Sequence, residues 1–479
     1  LIAIQNYIGG ALIPPASEGW IDNFEPATGT VYAKVPNSAA TDIGSAVTAA
    51  QAAFPAWSAL TAEDRSQRLL RLADLIEQNL ESLAAAESRD NGKTIALARS
   101  VDIPRAAANF RFFAKLVCGV SSESHEMPDA INYTLRRPLG VVGCISPWNL
   151  PLYLFTWKIA PALAVGNCVV AKPSEVTPMT AFELSKLCIE ADIPPGVLNI
   201  VHGSGAQTGN ALIQHPDIKA ISFTGGTATG AHIAREVAPQ FKKLSLELGG
   251  KNPNIVFADC DYESALDTTV RSSFANQGQI CLCGSRIYVE RTLYERFRDD
   301  LVARASALRV GDPASADSDL GAVVSAAHQQ KILACIDTAQ QEGGTVLCGG
   351  TAVRPDGRCE NGWFVAPTVI EGLSDSCQTN QEEIFGPVVT IAPFATEAEV
   401  MSAANGTKYG LAASVWTGNV QRAHRIARDL EAGVVWVNCW LVRDLRTPFG
   451  GMKASGVGRE GGEEALRFFT EPKNVCIKY

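Results

Sequence analysis

The sequence predicts an α/β protein built on two largely parallel sheets. Short apolar runs alternate with helical stretches from about residue 139 to 248, and a second such series follows beyond 250. At 479 residues the chain has room for about three domains at ~150 residues each. No internal repeat and no low-complexity linker interrupts it.

The N-terminal part reads as helical. Thr61-Ala-Glu-Asp64 has the form of a capping box, and Leu69, Leu72, Ala73, Ile76, Leu80 and Leu83 follow at helical spacing until Asn91-Gly92 stops the helix. The strands of the first series are expected at Gly140–Ile145, Cys168–Ala171, Val197–Val201, Ala220–Phe223 and Leu244–Leu246, with a helix at Thr180–Ala191. Those of the second are expected at Arg286–Val289, Val365–Val369, Val388–Ala392, Ala413–Trp416 and Gly433–Val437. The tail Val475–Tyr479 alternates like an edge strand. Residues 140–171 are almost uncharged, but Lys158, Asn149 and Asn167 lie within them and Pro147, Pro151 and Pro161 interrupt them. A buried core passage is expected there, not a membrane span.

Composition narrows the function. With 41 basic against 50 acidic residues and a net charge of −9, the chain carries no basic patch for nucleic acid or an anionic membrane. A core of this size needs no disulfide or metal staple. The 13 cysteines are odd in number, no C-x-x-C pair exists, and the six histidines are scattered, so no metal site is expected. Reduced thiols imply a cytoplasmic protein. The opening carries no signal-peptide pattern, and a start at Leu1 leads us to expect a few residues ahead of it.

Four segments could carry chemistry. Phe223-Thr-Gly-Gly-Thr-Ala-Thr-Gly230 runs from a strand through paired glycines into a helix, where free N–H groups suit a phosphate; a tight strand–helix turn is the plain alternative. In Phe274-Ala-Asn-Gln-Gly-Gln-Ile-Cys281, small polar residues surround a cysteine, as a thiolate nucleophile requires. Glu247 ends an apolar strand before Gly249-Gly250, so it is either a solvated strand end or a base at the sheet's rim. Asn149, in Ser146-Pro-Trp-Asn149, could donate to an oxyanion or cap a helix. Gly203-Ser-Gly205-Ala-Gln-Thr-Gly209 is one residue too long for a dinucleotide fingerprint, and a loop entering a helix is the better reading.

Together with Ala171-Lys-Pro-Ser-Glu175, Glu382-Glu-Ile-Phe-Gly-Pro387 and Pro448-Phe-Gly-Gly-Met-Lys-Ala-Ser-Gly456, these segments resemble the aldehyde dehydrogenase superfamily in order and spacing over essentially the whole chain. The resemblance implies an aldehyde dehydrogenase fold: a Rossmann-like NAD-binding domain (1–119 and 139–248), an α/β catalytic domain (249–448) and a small bridging β arm (120–138 and 463–479) that makes a homodimer or homotetramer. It implies Cys281 as nucleophile, Asn149 with the Cys281 N–H as oxyanion donors, and Glu247 as the base for thioester hydrolysis. NAD is the implied cofactor. Lys172 and Glu175 would hold the adenosine ribose hydroxyls, Ser174 would also belong to the cofactor site, and a carboxylate at Glu175 would repel the 2′-phosphate of NADP. Ile145, Ser146, Pro147, Trp148, Gly205, Gly209, Phe223, Thr224, Gly225, Gly226, Thr229 and Leu248 would line the rest of the cofactor cleft. Glu383 and Phe385 would hold the nicotinamide ribose and ring. Gly226 replaces the family's commoner serine, which removes one side-chain contact to phosphate.

Within the superfamily, Asn438-Cys-Trp-Leu-Val-Arg443-Asp, Asp102-Ile-Pro-Arg105 and Asn109-Phe-Arg-Phe-Phe113 resemble the branch acting on 2-aminomuconic and hydroxymuconic semialdehydes, intermediates of tryptophan and aromatic-ring breakdown. The implied substrate is a semialdehyde with a carboxylate at its far end. A guanidinium beside an apolar tunnel is costly unless paired, and a substrate carboxylate is a natural partner for Arg443, with Arg105 as a second clamp. The structural alternative pairs Arg443 with Asp444 or another protein acid. Leu150, Leu154 and Trp157 take the tunnel-wall positions. Competing readings are a broader dehydrogenase of retinal, betaine aldehyde or hydroxymuconic semialdehyde, a CoA-acylating relative, and a catalytically silent relative.

Overall fold

The computed structural model describes residues 1–16 and 18–479. Among the described residues, eight strands form one sheet, in the order Gly456–Val457, Lys243–Glu247, Ile218–Thr224, Val141–Ile145, Cys168–Lys172, Leu198–Ile200, Asn6–Ile8 and Ala11–Ile13. The five central strands are parallel and those added at the edges antiparallel. The chain runs outward from Val141–Ile145 to Leu198–Ile200, then returns to lay Ile218–Thr224 on the other side of Val141–Ile145. That reversal opens a crevice beyond the carboxyl ends of these two strands, where Ser146–Asn149 and Gly225–Gly226 emerge.

A second sheet of seven strands runs Thr345–Cys348, Thr368–Glu371, Val388–Phe394, Arg286–Glu290, Pro253–Val256, Ala412–Trp416 and Val434–Val437, parallel except for the first. Gly249–Asn252 joins the two sheets, so the carboxyl end of Lys243–Glu247 faces the amino ends of the second sheet's strands. The loops entering those amino ends carry Cys281, Phe385 and Leu411. A third sheet pairs Thr470–Lys478 with Ala130–Pro138 along nine residue pairs, and Ser124–Met127 lies on the far side of Ala130–Pro138.

The strands of the first series form within a residue or two of their expected bounds, and the nearly uncharged stretch forms the buried core of the larger sheet. Its helix, Pro151–Ala164, starts on Pro151, where the missing N–H costs nothing, and accommodates Pro161 rather than breaking there. Among the described residues no helix is long and apolar enough to cross a membrane. Three expectations are corrected. The first 36 residues hold strands, not helix, because they complete sheet edges far along the chain. The helix after Thr61, whose Oγ1 accepts the Asp64 N–H at 3.1 Å, splits at Asn79 into Ala62–Gln78 and Leu80–Asn91. Finally, Val365–Val369 is two strands in two sheets, Phe364–Val365 and Thr368–Glu371, because Pro367 between them cannot donate to a ladder.

Candidate active site

Among the described residues, three cavities run end to end from the carboxyl edge of the larger sheet into the space between the two sheets. The first, about 740 Å³, is lined by Ile145–Trp148, Lys172, Ser174, Glu175, Gly205, Gly209, Phe223–Gly226 and Thr229. It shares Pro147, Trp148 and Thr224–Gly226 with a second cavity of about 250 Å³, which holds Asn149, Leu248, Cys281, Glu383 and Phe385. That one shares Cys281, Thr224 and Leu248 with a third of about 350 Å³, the tunnel, walled by Leu150, Leu154, Trp157, Glu247 and Arg443. Cys281 thus stands where two chambers meet.

The nucleophile loop is shaped by consecutive left-handed residues, Asn276, Gln277 and Gly278. A side chain at Gly278 would meet the Gly386 carbonyl at 2.0 Å, so this loop and the one carrying Phe385, also left-handed at φ 63°, are packed backbone to backbone. Asn252 Nδ2 donates to the carbonyls of Cys281 (2.7 Å) and Cys283 (2.9 Å). Burial, then the charges of Glu383 and Glu247, push the Cys281 thiol far above its usual range.

Asn149 does not cap the helix that follows it, whose N-cap is Leu150. Its Nδ2 donates to Gln279 O at 3.0 Å, which leaves one amide hydrogen for the chamber. Glu247 is buried, and among the described residues neither of its carboxylate oxygens has a hydrogen-bond partner. Burial, followed by repulsion from Glu460, raises its carboxyl well above the ordinary range. Behind it lies a group that sequence reasoning missed. Lys158 Nζ reaches Glu460 Oε1 at 2.8 Å and Ser222 Oγ at 3.0 Å. Lys158, a charge in an otherwise uncharged run, was the visible signal.

In the large cavity, Lys172 Nζ lies 3.1 Å from Glu175 Oε2, and Glu175 Oε1 accepts the Gly205 N–H at 3.2 Å. Burial alone would raise the Glu175 carboxyl, but Lys172 and these bonds hold it below its usual range. The Gly205–Gly209 segment is a wide helical turn leading into the helix Asn210–Gln214, as the loop-into-helix reading requires. Ile213 and Ile233, not singled out from sequence, give this chamber apolar walls. The Gly225 N–H is taken by the Glu247 carbonyl at 3.0 Å, so the donors open to a phosphate begin one residue later, at the start of the helix Thr227–Val237. Around Gly226 a Cβ would meet nothing within 4 Å. Glu383 Oε1 accepts the Gly250 N–H at 2.9 Å. Phe385 packs edge-on against Trp148, and His328, also missed, binds the Phe385 carbonyl at 2.7 Å through Nε2.

At the far end, Arg443 lies over the rings of Phe449 (4.0 Å) and Trp157 (5.2 Å), and its Nη2 is buried without a partner. Asp444 pairs with Arg446 instead, and among the described residues Arg443 has the Tyr153 hydroxyl but no acid as partner, so the structural alternative for Arg443 does not hold. Arg105 is not in the tunnel wall. It lies over the Tyr153 ring at 5.2 Å, with Nε and Nη2 buried and unpaired, while Arg443 Nη1 lies 3.5 Å from the Tyr153 hydroxyl. Tyr153 is a tunnel residue that sequence reasoning missed.

The aldehyde dehydrogenase family model matches residues 13–475. The chain is 54% identical over 482 residues to a 2-aminomuconic semialdehyde dehydrogenase of Danio rerio, covering 100% of this chain and 99% of that one. It is 47% identical over 482 residues to a 2-hydroxymuconic semialdehyde dehydrogenase of Pseudomonas sp. (strain CF600), with 99% of each chain covered. The NAD+ complex of an aldehyde dehydrogenase from Bacillus cereus superposes with a TM-score of 0.97 at 40% identity, over 99% of this chain and 96% of that chain. A match of this length, on a fold and a cysteine site of this form, makes the chain a member of the aldehyde dehydrogenase family.

Proposed function

We propose that the protein oxidises 2-aminomuconate 6-semialdehyde, or a close muconic semialdehyde, to its carboxylate, with NAD as cofactor. The observation that carries the substrate class is the pair of guanidiniums converging on Tyr153, both with buried N–H groups that no acid among the described residues answers. A buried unpaired cation is costly, and a substrate carboxylate in that position would satisfy it. The names of the relatives support the same class.

The large cavity fits a dinucleotide. Its walls are apolar at Ile213 and Ile233, and a carboxylate and ammonium stand together at Glu175 and Lys172. Open space at Gly226 adjoins unspent helix N–H groups. Glu175 would repel a 2′-phosphate, which favours NAD over NADP. Glu383 and Phe385 would hold the nicotinamide end beside Cys281.

Cys281 gives its thiol proton to water and, as thiolate, attacks the aldehyde carbonyl, forming the C–S bond of a thiohemiacetal. The free Asn149 amide hydrogen and the Cys281 N–H meet the oxyanion, and one such donor is worth ~10²–10³ in rate. NAD, when bound, would supply the hydride acceptor that oxidation of the thiohemiacetal to a thioester requires. Glu247 then takes a proton from the water that hydrolyses it. Arg443, with Arg105 behind Tyr153, orients the substrate's far carboxylate, and Leu150, Leu154 and Trp157 flank its planar chain.

By this reading residues 1–119 and 139–248 serve the cofactor, 249–448 the chemistry, and 120–138 with 463–479 association into a homodimer or homotetramer. Thirteen unpaired cysteines favour a cytoplasmic setting. The test is a screen of NADH formation across aldehyde classes, followed by Arg443→Ala. That variant should lose about 10–100-fold in kcat/KM for the muconic semialdehyde, the worth of a charge-assisted bond at ~1.5–3 kcal/mol, and little for a neutral aldehyde of similar size. Equal losses on both substrates would sink the clamp.

A further inference from the structure

We propose that Lys93, held by Asp102 and Glu87, is a positioning residue that fixes the oxyanion donor Asn149 through its main-chain carbonyl. The proposal rests on the role assigned to Asn149 above. Glu87, Lys93 and Asp102 are all 0% exposed. Lys93 Nζ lies 2.7 Å from Asp102 Oδ2, 4.0 Å from Glu87 Oε1 and 3.1 Å from Asn149 O. One ammonium therefore spends its hydrogens on one carboxylate and on the backbone of the residue whose side chain faces Cys281.

The surrounding contacts converge on the same short segment. Asn91 Nδ2 donates to Trp148 O at 2.8 Å, and Asn276 Nδ2 donates to Asn149 O at 3.0 Å. The Leu152 N–H, at the start of the helix Pro151–Ala164, reaches the Glu87 carboxylate at 3.3 Å. Glu87 and Asn91 lie four residues apart on one face of the helix Leu80–Asn91. Gly92 then turns the chain left-handed at φ 89°, so that Lys93 comes back under the segment it holds. A Cβ at Gly92 would sit 2.6 Å from Ala322 O, so no other residue fits that turn as it stands.

A purely structural role does not account for the composition of this cluster. Replacing a buried ionic group by well-packed apolar residues is often neutral or stabilising. What an apolar set could not supply is a charged donor to Asn149 O. Asn276 holds the same carbonyl and also donates to Gln279 O at 3.1 Å. Lys93 thus fixes Asn149 from the side of the larger sheet, and Asn276 ties it to the nucleophile loop. A misplacement of about 1 Å between reacting groups can cost ~10² in rate, which is the quantity such a clasp controls.

The test is a cycle of Lys93→Met, Asn149→Ala and the double variant, with kcat/KM measured on the aldehyde that turns over fastest in the screen above. Lys93→Met should lose 10–100-fold in kcat/KM, while its NAD dissociation constant stays within twofold of wild type. In the Asn149→Ala background the same substitution should cost less than threefold, because its target is gone. Lys93→Met/Asp102→Asn, which removes the acid bonded to Lys93 along with it and leaves Glu87 on the Leu152 N–H, serves as a second variant should Lys93→Met fail to fold, and it should show the same loss. The clasp is overturned if Lys93→Met turns over like wild type, or if its loss recurs in full without Asn149. If Asn149→Ala itself stays within threefold of wild type, the oxyanion assignment falls and the clasp with it.

Discussion

At the scale of single residues, the site is organised by unsatisfied charge. Glu247 has two buried oxygens without a partner and a neighbour, Glu460, that shares its sign. Both burial and repulsion favour the protonated form, so Glu247 becomes a base only as the pH rises past a point well above the usual carboxylate range. The expected kcat profile therefore falls toward acid on a limb set by this group. Glu247→Gln should abolish that limb and slow steady turnover by ~10²–10⁴, the usual worth of a general base, while a rapid burst of about one NADH per site survives. A Gln variant that keeps both the limb and the steady rate would remove Glu247 from the chemistry. Cys281, Glu247 and Asn149 were legible in the sequence because each stands out against its surroundings: a thiol among small polar residues, and two polar groups at the ends of apolar strands. Glu460 was not, because it meets Lys158 across 302 residues and nothing local marks the contact. Arg105 shows the complementary limit. Its sequence position suggested the tunnel, but Tyr153 stands between it and the cavity, and only packing decides that.

At the scale of elements, pattern gave existence and type, whereas tertiary pairing decided boundaries. The five central strands of the larger sheet were readable because parallel strands covered on both faces are continuous apolar runs. The short N-terminal strands were not, since Asn6–Ile8 is defined by its pairing to Leu198–Ile200, nearly two hundred residues away. The helix Thr227–Val237 illustrates how one position tunes an element. Its N-cap, Gly226, has φ −70° and ψ 146°, which any residue adopts, and it faces open space. Glycine is therefore not required by the fold there. Gly226→Ser should leave thermal stability unchanged or slightly raised, since serine caps a helix better than glycine by a few tenths of a kcal/mol. Its hydroxyl would add one donor beside the helix N–H groups, so NAD should bind about threefold to tenfold more tightly, the value of one hydrogen bond at ~0.5–1.5 kcal/mol. Titration of NAD by quenching of protein fluorescence measures it. Unchanged or weaker binding would place the pyrophosphate elsewhere than this helix end.

At the scale of the whole molecule, the two sheets face each other across the chambers that meet at Cys281, but the third sheet does not share their core. Thr470–Lys478 and Ala130–Pro138 pair along their full length, while Glu471–Asn474 and Cys476–Tyr479 are exposed and Ile477 and Tyr479 present apolar side chains at 50% and 70% exposure. The root is firmly tied: Asn167 Nδ2 donates to Phe469 O at 2.8 Å, and Lys243 Nζ to Thr470 O at 2.7 Å. Beyond that root a nine-residue strand offers one unpaired edge to solvent, a liability that natural proteins cover or pair. A second copy of the chain provides such a cover with closed symmetry. Light scattering coupled to gel filtration should therefore find the full chain as a dimer or tetramer. Deleting residues 471–479 removes the strand that carries this edge and its exposed apolar side chains, leaving the shorter pair Ser124–Met127 and Ala130–Pro138, but keeps Thr470 and the bonds at the root, so the two large sheets should fold as before and the protein should elute as a monomer. If the truncated protein keeps the oligomeric state of the full chain, association runs through another surface. If the full chain is itself monomeric, the arm has a different occupant.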